Sequence, residues 1–212
     1  NANTNTLSFV KTGGVLDDGS YTVTLFSGGT AFNDGTDNLD GDGDLDDSEA
    51  NDHFSESFNV SSSGERIVSI RDFARGPEQA VDDDPTDLVS DLGVRISNPV
   101  GVTALDFDLL YDAALLHINS VALASGLPVD WSVTVNNSVS GVLQVSASGT
   151  TPLTASNEQV ILINALVPED ADYGASQVLR LVDLVVGGNS GALAARADYA
   201  IHKNVYLGDA DG

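Results

Sequence analysis

The stretch Asn38–Glu49, N-L-D-G-D-G-D-L-D-D-S-E, gathers oxygen-bearing side chains at a spacing that encloses a hard cation. On a twelve-position calcium loop, Asn38, Asp40 and Asp42 take positions 1, 3 and 5, and their oxygens converge on one centre. Gly43 takes position 6, where the chain turns sharply and a Cβ would obstruct. Asp44 offers its carbonyl at position 7, Asp46 sits at position 9, and Glu49 closes the shell at position 12 with both carboxylate oxygens. Leu45 points away as an apolar anchor. Asn38 stands where an aspartate is usual, which keeps an oxygen but removes a charge; Asp37 restores part of the field. The competing reading is a solvated acidic loop. Against it, six carboxylates lie between Asp40 and Glu49, and their repulsion opposes an ordered loop with no cation among them. A flexible, multidentate oxygen cage suits Ca²⁺ better than Mg²⁺.

The flanks of this loop must position it, and they are not helical. Tyr21–Phe26 and Phe54–Val60 alternate apolar with polar residues, so the loop joins two strands and serves as a structural staple. Ahead of them, Leu7–Val10 is a further candidate strand, and Leu16–Gly19 a tight turn with Gly19 at positive φ. Three or four strands are few for an independent sandwich. The first module is therefore expected to be incomplete at its N-terminus or to lean on its neighbour.

Composition narrows the function classes. The 212 residues include 8 Lys and Arg against 32 Asp and Glu, a net charge of −24. Nucleic acids and anionic membranes are excluded as electrostatic partners, because both would be repelled. Cations, or life in salty water, suit such a chain. Cysteine is absent, so neither disulfides nor thiol chemistry is available, and a secreted chain must rely on metal or core. No apolar run reaches the length of a membrane span, and no signal peptide is recognisable. Methionine is also absent, even at residue 1, and the expectation is a piece of a longer exported protein.

Ser61–Gly64 is a short polar break. Beyond it Arg66–Ile70 alternates, Asp72–Gln79 passes through a Gly-Pro turn, and Asp82–Asp87 is acidic but lacks ligand spacing, so a solvated loop is expected. Strand signals then recur at Leu92–Ser97, Val102–Tyr111, Leu115–Leu123, Trp131–Val135, Val142–Ser148, Gln159–Val167 and Val178–Val186. Short strands separated by turns predict an all-β fold, an antiparallel β-sandwich. Within Val102–Tyr111, Leu105, Phe107, Leu109 and Tyr111 share one face and Asp106 and Asp108 the other.

Nothing here assembles a catalytic signature. His53, His117 and His202 are scattered, with no nucleophile motif beside them. A carboxylate pair for glycoside hydrolysis is recognised by separation in space, and among 32 acids accidental pairs are certain. Trp131, the only tryptophan, would stack on a sugar if exposed; in an alternating strand the core is its expected place.

Three stretches resemble known modules. Gly19–Leu25 (G-S-Y-T-V-T-L), Phe32–Gly35, Leu39–Asp44 (L-D-G-D-G-D) and Phe58–Val60 resemble the C-terminal part of bacterial surface-protein Ig-like domains, whose first strands are missing here. Val102–Asp112 (V-T-A-L-D-F-D-L-L-Y-D), followed by Leu115–Ile118, resembles the strand, Tyr-Asp corner and strand of a cohesin module; Val142–Gly149, Val160–Leu166 and the Gly174 turn fit its later strands. Val205–Gly212 (V-Y-L-G-D-A-D-G) is similar to the opening of a dockerin calcium repeat, in which Asp209 and Asp211 would be the first ligands. The resemblances imply an Ig-like module over 1–61, a cohesin-like jelly roll over 64–205 and a dockerin-like start or linker over 206–212. They imply a non-catalytic, calcium-stabilised spacer and dockerin-binding module, secreted or on a cell surface, with neighbouring domains as further partners. A carbohydrate-binding or adhesin module holding glycan is the alternative. An exposed planar aromatic would favour glycan, and a flat mixed sheet face a protein partner.

Overall fold

Alternating β-branched and polar residues dominate the chain, and strands are what they form. The computed structural model describes residues 9–33, 37–41, 52–61, 64–82 and 91–206. Fourteen strands and no helix occur among the described residues. The chain divides into two units, Leu16–Ser63 and a larger one made of Asn1–Val15 with Gly64–Gly212. The described residues ahead of Leu16, 9–15, thus group with the large unit.

In the small unit, β1 (Gly19–Leu25) pairs antiparallel with β2 (Phe54–Val60), from Gly19 opposite Val60 to Leu25 opposite Phe54. Period-2 alternation gives the ribbon two unlike faces. One is a hydroxyl ladder, with Thr22 against Ser57 and Thr24 against Ser55, each at 2.8 Å. The other stacks Tyr21 on Phe58 at 5.8 Å. Residues 9 and 10 of the expected strand Leu7–Val10 are not in a strand, and residues 7 and 8 lie outside the described residues. The expected positive φ at Gly19 falls instead on Gly13 (73°) and Gly14 (106°), because Gly19 is already the first residue of β1.

The large unit has two sheets. One has the order β13 (Ala195–Asp198), β3 (Arg66–Ser69), β5 (Leu92–Ile96), β10 (Gln159–Leu166), β7 (His117–Leu123). The other runs β4 (Phe73–Ala74), β14 (Ala200–Lys203), β11 (Ser176–Gly188), β6 (Val102–Leu110), β9 (Val142–Ser148), β8 (Ser132–Val139), with β12 (Gly191–Leu193) paired to β11. Their inner faces bury Leu92, Val94, Ile96, Leu105, Phe107, Leu109, Leu143, Ile161, Ile163, Leu179 and Leu181. Leu105, Phe107 and Leu109 therefore face the core as the alternation requires, and Tyr111 packs against its margin.

Two pairings are parallel, β13 with β3 and β14 with β4, where antiparallel pairing throughout was expected. The first and last strands run in the same direction, and each contributes a piece to both sheets. Asp72 sits at this exchange, where its carboxylate accepts the Ile201 N–H at 2.7 Å and the Gly13 N–H at 2.9 Å. Beside it, burial and the Asp72 charge raise the Asp198 carboxyl above its usual range, while Lys11 and Arg196 oppose the rise.

Candidate interaction face

β6, β8, β9 and β11 form one continuous outward surface because each alternates. Leu143, Val145 and Ala147 of β9 are buried, so Gln144 and Ser146 face outward. On β6 the outward residues are Asp106, Asp108 and Leu110, and on β8 Thr134 and Asn136. Register places Asp108 opposite Gln144 and Asp106 opposite Ser146, with Thr134 and Asn136 across the next gap.

These side chains tie the strands together. Gln144 Nε2 donates to Asp108 Oδ2 at 3.0 Å and Asn136 Nδ2 donates to Gln144 Oε1 at 2.9 Å. The Ser146 hydroxyl donates to Asp106 Oδ1. Between Val182 and Val185 the register of β11 shifts, and Asp183 takes a φ of 51°, a left-handed backbone uncommon outside glycine. The bulge brings Asp183 to the rim of an open cleft of about 310 Å³ with Asp106, Asp108, Thr134, Asn136 and Gln144 around it. Chemically this is a flat, acceptor-rich surface suited to hydrogen-bonding a large partner.

The other candidate residues do not gather there. His53 lies in the small unit, where its Nδ1 accepts the Ser27 N–H at 3.1 Å and its ring meets Phe26 edge-on. His117 is exposed on β7 of the opposite sheet, and His202 is fully buried on β14. Trp131 is 6% exposed and donates its indole N–H to the Thr151 carbonyl at 2.8 Å, so its ring belongs to the core. Next to it, Asp130 accepts from Thr150 N, Thr150 Oγ1 and Thr151 N, and these hydrogen bonds hold its carboxyl well below the usual carboxylate range.

Of the expected calcium ligands, Asn38 and Asp40 are described, and they border one cleft of about 290 Å³ with Asp37. Asn38 bridges to Asn33. The buried Asp52 accepts the Gly41 N–H at 2.7 Å, which ties the start of the loop to the chain just past its end. A Cβ at Gly41 would lie 2.4 Å from the His53 carbonyl carbon, so that approach needs glycine. Asp42, Asp44, Asp46, Glu49, Asp209 and Asp211 lie outside the described residues, as do residues 83–87 of the acidic loop. Asp82 is described, and its carbonyl accepts Arg75 Nη2 at 2.5 Å. No cluster of three or more potential metal ligands occurs among the described residues.

The sequence reading missed Thr134, Asn136, Gln144, Ser146 and Asp183. The alternation of Leu143–Ala147 carried the signal for two of them, but not which strands become their neighbours.

No curated protein matches the chain at a significant level. Among solved structures, the sixth cohesin of Acetivibrio cellulolyticus scaffoldin B, in complex with a Cel5 dockerin, is similar with a TM-score of 0.54 and 17% identity, over 66% of this chain and 99% of that one. A non-cellulosomal cohesin from Archaeoglobus fulgidus is similar with a TM-score of 0.56 and 12% identity, over 69% and 96%. CaCohA2 from Clostridium acetobutylicum is similar with a TM-score of 0.53 and 16% identity, over 66% and 91%. At these identities the likeness concerns the fold, which is the all-β jelly-roll sandwich described above. The sequence pattern of the Cohesin domain matches residues 83–197, more than half of the chain. That stretch includes all four strands of the outward face, and the chain belongs to the cohesin domain family, a class of non-catalytic interaction modules.

Proposed function

We propose that this chain is a protein-interaction module that binds a dockerin-type partner through the outward face of β8, β9, β6 and β11. The observation that carries the reading is the cross-strand chain Asn136–Gln144–Asp108. It presents hydrogen-bonding groups on three adjacent strands with their geometry already set. Preorganised polar groups on a rigid sheet lose little entropy on binding and support specificity. Trp131, the aromatic weighed for the glycan alternative, is packed inside and does not present its ring to a sugar.

The test is capture of dockerin modules by the whole chain, read by calorimetry. Gln144→Arg is expected to weaken binding at least a hundredfold, while Asn119→Arg, on the exposed side of β7, leaves it unchanged. The opposite result overturns the assignment of the face.

The same proposal has a calcium part and a setting. One Ca²⁺ would be held by Asn38, Asp40, Asp42, the Asp44 carbonyl, Asp46 and Glu49, stapling the small unit. Asp209 and Asp211 would open a dockerin-like repeat. The chain would act as a spacer and docking module of an extracellular or cell-surface protein, where salt screens the mutual repulsion of its 32 acids. Among the described residues no helix is long and apolar enough to cross a membrane.

A further inference from the structure

We infer that the outward face is electrostatically two-ended and accepts its protein partner in one orientation: lysine or arginine side chains over Asp106, Asp108 and Asp183, and an apolar side chain next to a carboxylate over Leu110, Val182 and Arg180. This rests on the reading of that face as the partner-binding surface.

The two ends are set by register. Along β6 the outward positions run Asp106, Asp108, Leu110, and their neighbours on β11 are Val185, Val182 and Arg180. At about 3.3 Å per residue, Asp106 and Leu110 are about 13 Å apart. The Asp106 end is acidic, and no lysine or arginine borders its cleft. Asp106 and Asp108 accept from Ser146 and Gln144, yet an ionised carboxylate offers about four acceptor positions, so both retain capacity for a partner's donors.

The other end differs in kind. Arg180 is the one Lys or Arg in the four strands of the face. With Leu110 and Val182 it borders a second cleft of about 400 Å³, flanked by Phe9, Val10 and Tyr199. Phe9 is 68% exposed, and a partner's apolar side chain seated there would remove its ring from water.

Reversed docking would bring the partner's cations to Arg180 and its acid to three aspartates, and such like-charge contacts discriminate against wrong arrangements. A helix spans 13 Å in about nine residues, so a helical partner would carry its basic and apolar–acidic ends about nine residues apart.

The test is a display library of dockerin modules randomised at exposed helix positions and selected against the whole chain. Binders are expected to carry lysine or arginine at one end of the contacting helix. They should bind the D106N/D108N/D183N chain at least tenfold more weakly, and should weaken similarly when NaCl rises from 50 to 500 mM. With R180E, selection at the far end should change from acidic to basic residues. Trp131 emission and near-ultraviolet circular dichroism establish that each variant is folded. Binders that need Gln144 but are indifferent to the three aspartates would overturn the two-ended partner while leaving the face assignment standing. Binders insensitive to every substitution on the face, or a library with no binder, would overturn both.

Discussion

The ring of His202 lies parallel to that of Phe73, with centroids 4.6 Å apart and planes 14° from one another, across the parallel pair β14 and β4. The imidazole is fully buried. Gln177 Oε1 accepts the Asp112 N–H at 2.6 Å, which orients the amide so that its Nε2 donates to His202 Nδ1 at 3.1 Å. Nδ1 is therefore an acceptor, the neutral imidazole carries its proton on Nε2, and a second proton has no place to go. Burial lowers the pKa of His202 to about 4.

Stability should consequently depend on pH. The unfolded imidazole takes up a proton near 6.5 and the folded one only near 4, so between these values the unfolded state binds more protons. Stability then falls as pH drops from 6.5 to 4, by at most about 3 kcal/mol from this group, and the contribution is complete above 6.5. Urea midpoints at pH 4, 5, 6 and 7 measure it. His202→Phe should flatten the slope in that window, and an unchanged slope would refute the assignment.

Phe107 is 2% exposed at the centre of β6. Phe107→Ala should cost about 3–5 kcal/mol through the cavity it leaves. Chemical denaturation, with an unaltered m-value, is the measurement. A loss below about 1 kcal/mol would mean that β6 is not anchored there.

Gly141 closes the turn between β8 and β9 with a φ of 79°, and a Cβ there would lie 2.8 Å from the Tyr111 carbonyl oxygen. Its own carbonyl accepts the Tyr111 N–H at 3.0 Å. Gly141→Ala combines a left-handed backbone with a backbone clash and should destabilise by about 2 kcal/mol. Because β9 carries Gln144 and Ser146, partner affinity should fall with it. A thermal melt of the variant matching the wild type would contradict this reading.

Calcium should bind the Asn38–Glu49 loop with a stoichiometry of one. Extracellular sites bind at about 0.1–1 mM, so 1 mM calcium should add only about 0.4–1.4 kcal/mol of stability. Calorimetry on the intact chain and on Glu49→Ala checks it, with binding expected to vanish in the variant. Asp52→Asn should weaken binding less, since Asp52 holds the Gly41 N–H near the start of the loop and itself stands outside the ligand spacing.

The alternation of Leu105, Phe107 and Leu109 with Asp106 and Asp108 was enough to place the first three inside and the acids outside, because side-chain direction in a strand is a local, period-2 property. β2 and β9 likewise begin and end where their patterns do. Position on a face is a different matter. Asp108 meets Gln144, 36 residues away, only because β6 and β9 are neighbours, and no local period encodes which strands become neighbours. The two-residue bulge that presents Asp183 also depends on β11 adjusting its register to β6. β4, β12, β13 and β14 went unrecognised because strands of two to four residues carry too little pattern. The amino-acid order determined the longer strands, the inward residues of β6 and the family. Closure of the two sheets, with the first and last strands shared between them, decided which strands became neighbours and so which outward residues share a face, and that choice belongs to long-range pairing alone.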